Sequence, residues 1–295
     1  MITFADRTML NDVAELRRVC FDEDEPYASF YLANRFTSDN TLVYIEQGRV
    51  VASLTLLPVT IVTPRRNFQA AYVYAVSTLP DFRRRGIAAA LLEHAETALR
   101  ARGGEALLLA PASEALRDYY ARFGYCPCSY RKEVALDTAA IAGAGVQTPR
   151  IDIGPLEAPD LLRLRNAAYA SCGYFVQWDE AALRYAIDEC YFCGGFTRLL
   201  RSGADEGFFM AYPKYGGVVV KESMFTEQLF PYALQLIRKY FDHARHVYFH
   251  LPQHVTPGLW APGDGETVPF AMLKCLIPAA QPAAVAMPYL GMTLD

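Results

Sequence analysis

The stretch Tyr72-Val-Tyr-Ala-Val-Ser-Thr-Leu-Pro-Asp-Phe-Arg-Arg-Arg-Gly-Ile-Ala-Ala-Ala-Leu-Leu92 changes period halfway along, and that change decides the fold. Tyr72 to Ser77 has the β-branched and aromatic composition of a buried strand, and Pro80 punctuates its end. From Arg84 the apolar residues Ile87, Leu91, Ala95 and Ala98, joined by Leu92 and Leu99, recur at steps of three and four, which predicts a helix. Between the two lies Arg83-Arg-Arg-Gly-Ile-Ala88. A turn from strand into helix aims several unpaired backbone N–H groups and the positive end of the helix dipole at one point. Gly86 and Ala88 leave room for close approach to the main chain, and three arginines add charge for phosphate oxygens. The combination asks for a pyrophosphate.

Neither Gly-x-x-x-x-Gly-Lys-Ser/Thr nor Gly-x-Gly-x-x-Gly occurs, so P-loop and dinucleotide folds are set aside. Arg-x-x-Gly-x-Ala after a strand, with Arg83, Gly86 and Ala88 in the fixed places, resembles the acyl-CoA loop of the GNAT superfamily of N-acyltransferases. The resemblance implies that Arg83, Arg84, Arg85, Gly86, Ile87, Ala88 and Ala89 grip acetyl-CoA as cosubstrate. It implies too that the main chain at Val76, Ser77 and Thr78 runs beside the pantetheine, with Ser113 joining the binding set.

At 295 residues two domains are expected. Thr3 to Phe4 reads as a short strand, and Leu10, Val13, Leu16, Val19 and Cys20 as a helix capped by Thr8 or Asn11. The acidic run Phe21 to Glu25 and Pro26 precede a second helix, Tyr27 to Arg35. Strands Thr41 to Glu46 and Arg49 to Thr63 flank a Gln47-Gly48 hairpin turn. After the long helix, Gly103-Gly104 is a stop and Ala106 to Leu109 a buried strand. Ser113 caps a helix carrying Tyr119, Tyr120 and Phe123, and Ser129 to Leu136 closes the unit as a strand. This order matches the superfamily fold over roughly the first half of the chain.

Residues 138–149, rich in Ala, Gly and Thr, read as a linker between domains at 1–137 and 150–295. Beyond it the order begins again, with a strand at 150–153, helices at 159–171 and 179–190, strands to Met224, a helix from Leu229, a strand from Val247 and a last one from Val268 to Ile277. The loop is not repeated: Lys221-Glu-Ser-Met-Phe-Thr-Glu-Gln228 stands there, and Glu222 and Glu227 would repel phosphate. The expected class is α+β, two tandem GNAT folds, each a mixed, mostly antiparallel twisted sheet flanked by helices.

A working first half beside a degenerate second half resembles the enhanced intracellular survival family of acetyltransferases. Ala75 to Gly86 carries the likeness, as does Pro111-Ala-Ser-Glu followed by Tyr120-Ala-Arg-Phe-Gly-Tyr125. The family's sterol-carrier-like third domain has no counterpart before Asp295, so a shorter relative is expected. Tyr120 occupies the tyrosine place of the superfamily's Phe-Tyr-x-x-x-Gly-Phe pattern, which implies a general acid for the departing thiolate. The usual strand glutamate is missing between Ala70 and Leu79. The C-terminal carboxylate of the related family suggests Asp295 as base, with a water chain to Asp22, Glu23 or Glu25 as the alternative. Asp22, Glu25, Tyr27 and Phe30 could draw a cationic amine into the acceptor cleft by charge and cation–π attraction.

The expected function is acetyl-CoA-dependent N-acetylation of a small-molecule or peptide primary amine in one ternary complex, without an acyl-cysteine. The rivals are a non-catalytic acyl-CoA sensor and an enzyme using a longer acyl-CoA. A net charge of −4 recruits neither nucleic acid nor membrane. No signal-peptide layout opens the chain, and seven cysteines without framework spacing suit a reducing cytoplasm. Cys126/Cys128 and Cys190/Cys193 read as packed thiols, and His243, His246, His250 and His254 do not share a face, so no metal is expected. The apolar second half suggests a possible homo-oligomer.

Overall fold

The computed structural model describes residues 1–141, 151–170, 173–214, 216–253, 265–277 and 291, with the backbone alone for Ala140 and Ile141. They fall into two compact units. The first comprises Met1–Pro127 with the described residues from Ala271; the second comprises Cys128–Phe270 with Gly291.

The first unit runs β1 (Ile2–Phe4), α1 (Leu10–Phe21), α2 (Glu25–Arg35), β2 (Thr41–Glu46), β3 (Arg49–Val62), β4 (Phe68–Thr78), α3 (Ile87–Ala101), β5 (Ala106–Leu109) and α4 (Glu114–Ala121). Neither Thr8 nor Asn11 caps α1: a 3-10 turn over Arg7–Met9 precedes it, and Asp6 accepts the Thr8 N–H there. Asp24, inside the acidic run, caps α2 by accepting the Tyr27 N–H at 2.8 Å. Gln47 and Gly48 both take positive φ, 51° and 78°, as a tight hairpin with right-handed twist demands. Ile87, Leu91, Leu92 and Ala95 of α3 pack with Leu16, Leu42, Leu54, Val73 and Leu107 in one core.

The second unit contains β6 (Cys126–Asp137) from Cys128 on, α5 (Thr138–Ile141), β7 (Asp152–Gly154), α6 (Ala158–Ala170), β8 (Phe175–Gln177), α7 (Glu180–Phe192), β9 (Phe196–Ser202), β10 (Asp205–Lys214), β11 (Gly217–Met224), α8 (Phe230–Tyr240) and β12 (His246–Pro252). Phe209, Val220, Phe230, Ile237, Val247 and Phe249 centre its core. Of the 138–149 stretch, Thr138–Ile141 is helical, and residues 142–149 lie outside the described ones.

Strand order repeats between the units. In the first it is β1-β2-β3-β4-β5, antiparallel except for parallel β4 and β5, and the outer side of β5 is taken antiparallel by β13 (Glu266–Cys275), with Met272 opposite Leu109. In the second it is β7-β9-β10-β11-β12, parallel only between β11 and β12, and β6 takes the equivalent place beside β12. The segment Ser129 to Leu136 thus does not close the first unit: Arg131 to Asp137 pairs with β12, while a strand from the far end of the chain serves β5. Alternation in a strand specifies which face is buried, not which neighbour it finds, so either closing strand satisfies the local pattern. The packed units accordingly interleave in sequence instead of following 1–137 and 150–295.

Candidate active site

The site grows from a defect in the central strand. Pairing of β4 with β5 runs only from Ala70 to Tyr72. On its other side Ser77 faces Ser53 and Tyr74 faces Thr55, so two residues, Ala75 and Val76, oppose the single Leu54. Ala75 adopts φ +52°, the left-handed region that an alanine enters at a cost. The bulge re-aims the main chain of Val76 to Thr78 at the strand end. Ser77 uses its hydroxyl on Ser53 at 3.0 Å, which leaves only its main chain for a ligand. Thr78 Oγ1 is buried and lacks a hydrogen-bond partner among the described residues.

The chain then turns through Pro80–Phe82 into the arginine bend. Arg84 (φ +62°) and Gly86 (φ +77°) are both left-handed, two inversions in three residues that curl the main chain into a cradle. Gly86 offers α3 no side-chain cap, no acid occupies the first turn, and the first bond into the helix is Ala90 N–H to the Gly86 carbonyl. The N–H groups of Ile87, Ala88 and Ala89 therefore head the helix as donors for an outside acceptor. A Cβ on Gly86 would meet nothing within 4 Å, so the bend is open.

The three arginines have separate employment. Arg83 Nε donates to the Thr78 carbonyl at 3.0 Å, stitching the bend to the strand end. Arg85 pairs with Glu46 at 2.8 Å over Phe82. That pair is solvent-exposed and worth at most about 1 kcal/mol, so a phosphate can displace it. Arg84 is exposed, with no hydrogen bond or ion pair among the described residues.

Ser113 caps α4 by accepting the Leu116 N–H at 3.3 Å, and two turns on the helix delivers Tyr120 into the first core. Tyr120 lies edge-on to Tyr119 and Tyr125, with centroids 5.4 and 5.8 Å apart. Burial first, then Tyr119, pushes its phenol up to about 12. It keeps its proton at neutral pH and can donate it.

On the acceptor side the expected residues sit around the α1–α2 turn. Asp22, left-handed at the end of α1, and Glu25 are exposed; Tyr27 and Phe30 are half-buried on α2. Glu23 is excluded as a base route: Arg17 occupies both its oxygens, Nε to Oε2 at 2.7 Å and Nη2 to Oε1 at 2.6 Å. Asp295 lies outside the described residues. Sequence reading missed Arg17, which is buried in α1, and Tyr74, whose hydroxyl accepts from Arg17 at 3.2 Å. It also missed Cys20, whose thiol donates to the Thr78 carbonyl at 3.4 Å and brings the end of α1 to the strand end. A charged residue on an amphipathic helix carries no sign that it points inward, and a lone cysteine none that it meets a carbonyl.

Among its described residues the second unit shows no such cradle. Thr226 accepts from the N–H groups of Leu229 and Phe230 at 3.1 Å each, and Phe225 packs on Phe209 and Phe230. Glu222, expected with Glu227 to repel phosphate, is instead buried against Arg165; of the two only Glu227 is exposed. Burial pushes the Cys190 thiol up to about 12. Among the described residues no group of three His, Cys, Asp or Glu could hold a metal ion, and no helix is long and apolar enough to cross a membrane. His254 lies outside those residues.

Residues 2–128 match the family model described as the acetyltransferase (GNAT) domain. Among solved structures, the chain is similar to a GCN5-related N-acetyltransferase from Kribbella flavida at 19% identity and TM-score 0.73, over 94% of this chain and 71% of that one. Eis1 from Mycobacterium abscessus is similar at 15% identity and TM-score 0.66, over 93% and 73%. A tandem GNAT protein from the clavulanic acid biosynthesis pathway is similar at 15% identity and TM-score 0.58, over 94% and 99%. No curated protein matches significantly. Bulge, open bend and buried tyrosine thus all lie within residues 2–128, the part that matches the acetyltransferase (GNAT) domain, in a chain that has the tandem GNAT fold.

Proposed function

We propose that the first unit transfers the acetyl group of acetyl-CoA to a primary amine while both are bound, with no acyl-enzyme between. The observation that carries the reading is the uncapped start of α3, entered through the left-handed Arg84 and Gly86 and open to solvent. Its fit to the coenzyme rests on three features: the donors heading α3, the uncommitted Arg84, and the buried Thr78 hydroxyl next along the strand. When bound, acetyl-CoA supplies the acyl group as a thioester already activated for attack.

The chain's own groups do the rest. Arg84 and the N–H groups of Ile87, Ala88 and Ala89 bind the phosphates. Val76 and Ser77 offer main chain to the acyl arm, and fixed dipoles of this kind cost nothing to reorganise during reaction. Tyr120 holds a proton for the thiolate. Asp22 and Glu25, exposed beside Tyr27 and Phe30, attract the ammonium form of the acceptor, and water leads its proton toward them. The cytoplasm is the compartment that would supply the coenzyme. The test is a panel of primary amines with acetyl-CoA, read by thiol release and by the mass of the acetylated product. Release that follows amine concentration supports the reading; coenzyme binding without amine-dependent release overturns it in favour of a sensor.

A further inference from the structure

Arg17 is a buried charge of the first unit, and nothing in the transfer step as described uses it. It lies in α1 at 2% exposure, and each face of its guanidinium meets a different element. Nε and Nη2 hold both oxygens of Glu23, in the α1–α2 turn. Nη2 also donates to the Tyr74 hydroxyl at 3.2 Å, on β4. Its Cζ lies 3.7 Å from the ring centroid of Tyr31, on α2, and the ring centroids of Tyr31 and Tyr74 lie 5.3 Å apart. Tyr74 is the last residue before the left-handed Ala75. Glu23 is flanked by Asp22 and Asp24, the residues that end α1 and begin α2.

From this junction we infer that Arg17 is a positioning residue: it fixes the acceptor-side turn at Asp22–Glu25 to the donor-side bulge at Ala75–Val76, so that amine and thioester meet at a set separation. The inference rests on the reading of the first unit as the transferase. The physical case has two parts. A bulge with a non-glycine residue in the left-handed region persists only where its surroundings over-determine it, and the Arg17–Tyr74 bond is a restraint on the residue adjoining it. A planar fork satisfies a carboxylate, a phenol and a ring face together, which an ammonium cannot do. Displacement of reacting groups by about 1 Å costs up to about a hundredfold in rate, so a tether of this kind is felt at the chemistry without touching substrate.

The test compares Arg17→Lys, Tyr74→Phe and the charge-balanced double variant Arg17→Met/Glu23→Gln, since Arg17→Met alone would strand Glu23 and destabilise the fold. Three readouts are taken on the full chain: hydrogen exchange of the amides at 22–25 and 75–78, CoA affinity by calorimetry, and kcat and KM for an amine found by the panel. The inference expects exchange in both segments to rise together by about tenfold or more in the double variant and in Arg17→Lys. It also expects CoA affinity within about twofold of wild type and kcat lowered by between about tenfold and a hundredfold. A folded double variant with wild-type exchange at 75–78, or with unaltered kcat, overturns it. If no amine is acetylated, the transferase reading has failed, while coupled exchange in the two segments still decides whether Arg17 ties them.

Discussion

Arg165 Nε stands 2.7 Å from Glu222 Oε1, and each side chain is 1% exposed. The Tyr169 hydroxyl donates to the same oxygen at 2.9 Å, and Arg165 Nη1 donates to the Val176 carbonyl at 2.6 Å. A Cβ on Gly291 would come within 2.6 Å of Arg165 Nη2, so glycine closes this cluster. Removing one member of a buried pair strands the other in low dielectric. Arg165→Met is expected to lower the second unit's stability by about 3–5 kcal/mol, and Arg165→Met/Glu222→Leu to recover most of it. Urea denaturation checks both, and CoA affinity should not move in either.

At the bend, Arg84→Ala removes the one arginine whose head is uncommitted, and a charge-assisted bond to phosphate is worth about 1.5–3 kcal/mol. Calorimetry should show CoA bound at least about tenfold more weakly. Gly86→Ala meets no steric obstacle, so its effect is conformational: φ +77° costs a side chain about 1–2 kcal/mol, and affinity should fall with little change in the core.

Tyr120→Phe deletes one hydroxyl from a packed aromatic cluster. Turnover should fall between about a hundredfold and ten-thousandfold, the range of a general acid, with CoA affinity unchanged. Steady-state kinetics with calorimetry reads the split. Normal turnover would return Tyr120 to the role of core aromatic.

The same phenol has a signature in stability. Its folded pKa of about 12 lies above the ordinary 10, so below pH 10 both folded and unfolded states are protonated and stability is full. Between 10 and 12 the unfolded state releases its proton while the folded state keeps it, and stability falls by roughly 3 kcal/mol. Burial raises Tyr125 in the same direction. Denaturation series at pH 9 and pH 11.5 should differ less in Tyr120→Phe than in wild type.

Cys20 sits at the strand end with its thiol on the Thr78 carbonyl. In a direct transfer it carries no acyl group, so Cys20→Ser should retain turnover within about threefold, a serine hydroxyl being able to make the same bond. Mass spectrometry after incubation with acetyl-CoA alone should find no acetyl adduct at Cys20; an adduct together with a dead serine variant would establish a covalent relay.

Features written locally were legible in the sequence. The bend, the apolar face of α3, the Gln47-Gly48 turn and the Ser113 cap each depend on residues within a few positions of one another. What escaped depends on partners far along the chain or on unmarked backbone. Ala75 is left-handed without the glycine that would announce it. Glu23 looked like one carboxylate in a solvated run until Arg17 turned inward to meet it. β8 has only three residues, too few for a period to show. The exchange of closing strands leaves every local pattern intact, so composition could not reveal it.

That exchange bears on how the molecule is made. A ribosome releases β5 long before it releases Met272, and in the interval the outer margin of β5 carries unmatched amide and carbonyl groups over an apolar face. The nascent first unit must wait, shielded or loosely collapsed, until β13 threads back to it. Synthesis speed and chaperone supply, more than the strength of any finished contact, would then govern how much folded protein a cell obtains.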